Sequence, residues 1–594
     1  MAAIITSKFR FHNAEQFKES FSEAAATNYY LFIGRPSEFA TTTTGGTDSA
    51  PPTPVDNRRS EAYNWDDMLA AKKIDSTGVT HAVPRRDLDV SGATTYDMYR
   101  PNYSSANTAT STATNLFDST FYFMTDAYRV YKVLDNGGVA WDAAAPTSTS
   151  ASPFTVAVTG GSYTLKYMLT LSTTNVQNFL TPDFIPISIT PESGNALADG
   201  RLDIVKITTA GTGLEDAGTW NINADRTITN VPIRGDGTGG LCTVTIGGSS
   251  GSSGGQVTTV AVTANGSGYT HANIIAADII EQHGIQQTSS VLSFGTDNVN
   301  APVLEVIIGP DGGHGSNPAR ELGGHFCLMD VKLQQTEAFD FSVVNDFRQL
   351  GIIRNPYSYA TSSNFTGSTA RQTYAIKFAS NSGTFAVDEK ISQTIAAIAT
   401  PTLASSANGQ TITVTTSSAH KLTTGQMVKI TGGAFPGTGA ATTDGHQGTH
   451  HITVTAATTF TYVIASTRAV DASESSTGTV VYTTFAPQAV VVEYDTTNNI
   501  LFYVQNSYDN QGTDSTYKQN IPFSGNSTIT GATSSATGVP DTSNSSTYNN
   551  TVFVSGYANP EMQPDSGDVI YVENRKPISR ASDQTEDVKL VVEF

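Results

Sequence analysis

Apolar and polar residues alternate with a period of two along much of this chain, and breaks rich in glycine, proline or asparagine separate the alternating runs. That is the pattern of short strands joined by turns. It is clearest in the final stretch, Gly567–Phe594, where 568–573 and 587–594 read as strands. The charged segment Asn574-Arg575-Lys576-Pro577 between them reads as a turn, because proline cannot donate to a strand ladder. Val588, Leu590, Val592 and Phe594 are expected on the inward face of a sheet built from distant segments. Further back, 121–138 (FYFMTDAYRVYKVLDNGG) alternates strongly and ends in Asn136-Gly137, a hairpin signal. Strands are also expected at 4–10, 29–34, 303–308, 489–494 and 500–505. Helical spacing predicts a helix over 13–26, with Phe17 and Phe21 four apart and Asn13/Gln16 as capping box, and a second over 60–74 around Trp65 and Leu69.

Two segments differ in texture from the rest. Residues 191–295 are rich in glycine and serine, and IVKITTAGTGL at 204–214 is echoed by VAVTANGSGY at 260–269, as in a small repeat-built β-module. Residues 386–485 carry a second set of short strands, with ITVTTSSAHKLTTGQMVKITGG at 412–433 and HHITVTAATTFTYV at 450–463. The expected organisation is therefore five regions: 1–190 scaffold, 191–295 inserted module, 296–385 scaffold, 386–485 inserted barrel-like module and 486–594 scaffold. The fold class is mainly β and multidomain, an α+β scaffold with short helices and two inserted small β-modules.

Composition agrees and narrows the function. At 594 residues the chain has room for roughly four domains. Charged residues make up 14% and the formal net charge is -20, without the concentrated basic patch that a phosphate backbone requires. No nucleic-acid partner is expected. Cys242 and Cys327 are the two cysteines, which cannot supply a disulfide framework or a cysteine zinc site, and buried thiols are expected. No apolar run reaches the length of a membrane span, and Met1–Ile5 is too short for a signal-peptide core, so a product soluble in the cytoplasm where it is made is expected.

Candidate chemistry is weak throughout. Gly235, Gly237 and Gly240 spell GxGxxG, but a strand sequence follows where a dinucleotide site needs a helix. Gly251, Ser253 and Gly255 spell GxSxG inside a low-complexity tract. The loop GPDGGHG at 309–315 lacks the Lys-Ser/Thr ending of a phosphate cradle and reads as a tight turn with positive-φ glycines. Asp444, His446, His450 and His451 have short metal-ligand spacing, yet the last two are sequence neighbours at a strand start and should face opposite ways. Paired carboxylates such as Asp565 and Asp568 read as surface charge. No catalytic, cofactor or metal residue is assigned.

A set of phrases in fixed order resembles a known family. ITSKFR at 5–10, a strand ending at Gly34-Arg35, VPRRD at 83–87, YRVYKVLDN at 128–136, GSYTLKYM at 161–168 and FIPI at 184–187 come first. NDFRQLGIIRNP at 345–356, YVENRKPI at 571–578 and DQTE at 583–586 follow. Together they resemble the baseplate wedge subunit, the gene-eight product, of T-even-like contractile-tailed phages. The 412–463 segment, with His420, Leu422, Gly425 and Val428, resembles a small β-barrel module inserted in phage tail proteins. The resemblance implies a structural, non-enzymatic virion protein of the tail baseplate, made in the host cytoplasm. It would be a homodimer in each wedge, bind other wedge proteins and hold the baseplate before sheath contraction. It would need no cofactor, and the inserted modules could reach a tail fibre. Arg85, Arg86, Asp87, Arg575 and Lys576 are the expected interface or domain-bracing residues, with intradomain ion pairing as the plainer reading. The alternatives are a host-recognition adhesin or tailspike-like glycan-binding protein, and a metal-dependent hydrolase resting on the 444–451 cluster.

Overall fold

Strands carry the structure and helices are few and short, which makes the protein mainly β. The computed structural model describes residues 5–23, 27–41, 45–211, 225–247, 255–281, 301–334, 340–393, 401–406, 410–420, 422, 424, 427–434, 445–464, 475, 477–484, 486–506 and 521–594. The chain divides into two units, Met1–Ser20 with Ser76–Asp330 and Lys589–Phe594, and Phe21–Asp75 with Val331–Val588.

The first unit is centred on an antiparallel sheet of Tyr122–Met124, Arg129–Asp135, Gly161–Thr170 and Phe154–Val158, in that order. Its core is aromatic. Phe121, Phe123, Tyr131, Trp141 and Tyr163 are fully buried, with Trp141 meeting Phe123 at 5.5 Å and Tyr163 edge-on at 5.0 Å between ring centres. Each such burial contributes about 2–3 kcal/mol. Residues Val130 to Leu134 are buried without interruption, so both faces of their strand are covered and alternation does not sort inside from outside here.

Asn136-Gly137 does turn the chain, with Gly137 and Gly138 at φ 57° and 73°. It does not close a hairpin, and the strand that pairs with Arg129–Asp135 from beyond the turn is Gly161–Thr170. The Asn136 side chain donates to the Tyr96 carbonyl at 2.8 Å, and Trp141 plugs the core, so residues 138–153 are held as a loop that leads into the strand Phe154–Val158.

At the start of the chain the helix is Ser7–Glu19, where a strand and a later helix were expected. Thr6 is the reason: its hydroxyl accepts from the Phe9 amide at 3.2 Å, capping the helix seven residues ahead of Asn13. Residues 24–26 of the expected helix lie outside the described residues. The last strand is Thr585–Glu593. Its Leu590 is buried, and Val588, Val592 and Phe594 are half-buried, while Asp587, Val591 and Glu593 are exposed, as alternation required. The sheet it joins contains Phe326–Gln334, Val79–Pro84 and Phe184–Ile187, segments far apart in sequence. Phe594 lies on Phe17 of the first helix with ring centres 5.3 Å apart, and Arg10 binds Glu593 and the Phe594 carbonyl.

The glycine-rich region builds a separate core in this unit. Arg226–Pro232, Thr238–Ile246 and Val257–Ser267 form one sheet, and Leu202–Thr209 pairs with Val303–Ile308 in another. Leu202, Val231, Cys242, Val244 and Leu304 are buried between them. The two echoing phrases lie in different sheets, and residues 212–214 of the first lie outside the described residues.

In the second unit the sheet order is Thr369–Arg371, Met68–Ile74, Tyr29–Gly34, Phe347–Arg354 and Asp568–Ile578. Asn57 caps a helix over Arg58–Asp67, which buries Trp65, and the chain then becomes strand at Met68. The helix expected over 60–74 stops there because MLAAKKI is buried between two strand partners, and sheet pairing overrides the helical propensity of alanine and lysine.

Strands Ile500–Val504, Gln488–Asp495, Lys390–Gln393, Ile529–Gly531, Thr537–Pro540 and Tyr374–Ser382 pair in sequence, and the last pairs back to the first, closing a six-stranded barrel. Phe378, Ile391, Val491, Leu501 and Phe523 fill it. Ser392 and Gln488 are directly paired, so everything between 394 and 487 leaves and re-enters at neighbouring points of one hairpin. That segment has its own core of Leu403, Ile412, Val428, Ile452 and Phe460.

Candidate assembly surfaces

The edge of the second unit's sheet is the strand Asp568–Ile578, paired on one side with Phe347–Arg354. The turn expected at 574–577 is therefore strand. Two features accommodate Pro577: the strand is at an edge, and the register shifts between the Phe347↔Ile578 and Gln349↔Asn574 pairs, so the residues between bulge out of the ladder. Arg575 and Lys576 project from this bulge, both exposed. Arg575 pairs with Glu573 at 2.8 Å, and Glu573 also accepts from the Tyr571 hydroxyl at 2.9 Å. Lys576 has no hydrogen-bond or ion-pair partner among the described residues.

Beside this edge runs a groove of 480 Å³, walled by Pro54–Asn57 and helix residues Glu61 and Asn64 on one side and by residues 568–572 on the other. Five consecutive strand residues line it, and the register shifts again here, between the Ile352↔Tyr571 and Ile353↔Val569 pairs, so Ile570 bulges from the edge into the groove. Val55, Ile570 and Tyr571 are 63%, 45% and 41% exposed along it.

Arg85, Arg86 and Asp87 lie in the first unit. The Arg85 Nε donates to both Asp87 carboxylate oxygens at 2.9 and 3.0 Å, and its guanidinium reaches the Thr181 carbonyl at 3.1 Å. Arg86 donates to the carbonyls of Phe117 and Asp118 at 3.2 and 3.3 Å and stacks over Tyr122 at 4.5 Å. These contacts pin two covering loops to the aromatic sheet. Arg575 and Lys576 belong to the other unit.

A buried charged cluster in the first unit was not read from the sequence. Lys132 and Glu321 are ion-paired, with side chains 0% and 1% exposed. Glu321 also accepts the Gly315 amide at 2.7 and 3.0 Å and the Asn317 amide at 3.2 Å. Lys166 donates to the Ala151 carbonyl at 2.6 Å and to the Asn195 carbonyl and side chain at 2.7 and 2.6 Å. Burial lowers the pKa of both lysines, that of Lys166 to about 8 with help from the neighbouring Lys132 charge. His314, buried against Tyr99, is pushed well below the ordinary histidine value by the same desolvation and by the two lysines. The available signal was a lysine set in an apolar strand, Tyr131-Lys132-Val133 and Leu165-Lys166-Tyr167. The cluster anchors the loop 309–317, whose Gly312, Gly313 and Gly315 have φ of 81–89°. A side chain at Gly313 would collide with the carbonyl oxygens of Leu197 and Ala198.

The other sequence motifs resolve into packing. At Gly237 an added side chain would strike the Tyr269 ring, and the Gly240 amide donates to the Tyr269 hydroxyl at 3.0 Å, so these glycines make room for a tyrosine. Gly251, Ser253, Gly425 and Asp444 lie outside the described residues. His446 and His450 bond through Nε2 to the carbonyls of Gly433 and His446, both at 3.1 Å, and His450 stacks on Tyr462. No group of three or more metal-ligating side chains is gathered among the described residues.

The region that contains the first helix, the strand Tyr29–Gly34 and Arg85–Asp87 also carries the relationship to known proteins. Residues 3–145 match the family of bacteriophage T4 Gp8. Over those residues the chain is similar to a gene-eight-type baseplate wedge protein, a family with a structural role in the phage baseplate. The matched segment includes Tyr122–Met124 and Arg129–Asp135, and so includes the strand that carries Lys132. No curated protein matches the chain.

Proposed function

We propose that this protein assembles the baseplate wedge through protein–protein interfaces and takes part in the conformational change of the baseplate, with binding rather than catalysis as its task. The observation that carries this reading is the Gp8 match over residues 3–145. In support, the matched region is braced, within itself and by residues beyond it such as Thr181 and Glu321. Arg85, Arg86 and Asp87 tie loops to the aromatic sheet, and Lys132 pairs with Glu321 in the core, which suits a part that transmits force between neighbours. We assign those three residues to bracing, and Arg575 and Lys576 to intermolecular contact. The working form is a homodimer within each wedge, and we assign the 386–485 module to contact with a tail fibre; that its residues from 394 on leave the barrel and return at one hairpin supports the assignment.

The test is light scattering on the purified protein, alone and mixed with the other wedge proteins of the same genome. A dimer that joins a larger complex of fixed composition is the expected result. A trimer that ignores those proteins and binds host cells or glycan would overturn the reading.

A further inference from the structure

We infer that the open edge of the Asp568–Ile578 strand receives an extended segment of another wedge protein as a sixth strand, laid into the groove beside it. The inference rests on the assembly role proposed above and names one contact within it. A sheet edge presents a row of backbone donors and acceptors, and natural proteins shield long edges or use them for strand addition. Here shielding is partial. Pro54–Asn57 and the helix starting at Arg58 stand across from the edge and leave the 480 Å³ groove between.

The second wall decides what fits. A second copy of this chain pairing edge to edge would bring its whole sheet, and the wall stands in that path. A single strand adds at about 4.8 Å from its neighbour and needs no more width. The exposed Val55, Ile570 and Tyr571 provide apolar contact for alternate side chains of such a segment.

Charge sets its chemistry. Asp56, Glu61 and Asp568 line the groove and no lysine or arginine does. Arg58 pairs with Glu61 at 2.9 Å and Arg354 with Asp568 at 2.7 Å, whereas Asp56 has no ion-pair partner among the described residues. At the far end Arg575 and Lys576 reverse the sign. The fitting occupant is an extended aliphatic segment with a lysine or arginine facing Asp56 and an acidic residue toward Lys576.

The experiment is hydrogen exchange on the full chain, free and in complex with the other wedge proteins of its genome, with affinities measured for wild type, Ile570→Asp and Asp56→Lys. Both substituted side chains are exposed, and unchanged exchange in Phe347–Arg354 verifies the fold. The expected result is slowed exchange across 568–573 on complex formation and at least tenfold weaker binding for each variant. A wild-type complex that leaves 568–573 unprotected, or that both variants form equally well, overturns the strand-addition inference and leaves the assembly role standing. Protection already present in the free chain at the amides of 568–573 that face away from Phe347–Arg354 also overturns it. In that case self-association identifies a second copy as the occupant, and a monomer identifies a segment of the chain itself. If the wild type forms no complex, the assembly role falls and this inference falls with it.

Discussion

Replacing Glu321 by alanine should destabilise the first unit far more than its position on a five-residue helix suggests. Lys132 would lose its counter-charge in a site where both side chains are essentially inaccessible to water, and the amides of Gly315 and Asn317 would lose their acceptor. Removing one partner of a buried pair costs about 3–5 kcal/mol, since the remaining charge is stranded away from water. The cost should reach the upper part of that range, because Lys166 lies close enough to Lys132 for their charges to interact. Removing both charges with Lys132→Met and Glu321→Gln should recover most of the loss, since glutamine keeps an acceptor for the loop amides and methionine suits the apolar strand. Native-state hydrogen exchange read in Arg129–Asp135 and Gly161–Thr170 is the assay, because it isolates this unit where a single global melting curve for a multidomain chain would not. At about 4–5 kcal/mol, protection there should fall roughly 10³-fold or more for Glu321→Ala. A fall below tenfold, or a double variant as unstable as the single one, would refute the claim that the buried pair holds the loop.

Three further outcomes follow from the same structure. Burial, with the Lys18 charge adding to it, lowers the His81 pKa from 6.5 to about 4, so the unfolded chain binds the extra proton and the first unit should weaken as pH falls from 6.5 to 4. Burial raises the Asp340 pKa from 3.8 to about 6, so here the folded state holds the proton and the second unit should strengthen as pH falls from 6 to 4. Each swing is on the order of 2–3 kcal/mol. Hydrogen exchange corrected for intrinsic rates should show the opposed slopes, and His81→Phe and Asp340→Asn should each flatten one. Excising residues 394–487 and closing the hairpin with a two-residue turn should leave protection in the Gln488–Asp495 and Ile500–Val504 strands within about 1 kcal/mol of wild type, because the excised core is separate from that of the barrel.

Where one face of a strand meets the core, its sequence was informative. The terminal strand shows this: Leu590 is buried and Val591 exposed, because only one face of that strand is covered. In Arg129–Asp135, where both faces are covered, alternation said nothing about the buried Lys132, since its partner Glu321 comes from a helix 189 residues away. Pro577 misled for a related reason. Proline forbids a ladder bond, but whether a strand has a free edge depends on strands elsewhere in the chain. The segment MLAAKKI reads as helix by propensity and is made strand by its neighbours, and the groove beside the edge strand joins loop 54–57 to residues some 500 positions later, so no local pattern announces it.

The most direct test of a baseplate wedge role is chemical cross-linking with mass spectrometry on purified tails of the phage that encodes this chain. The account predicts stoichiometric presence in the baseplate, with cross-links from residues 3–145 and from the Asp568–Ile578 edge to other wedge proteins. Absence from tails, or cross-links confined to fibre tips, would contradict it.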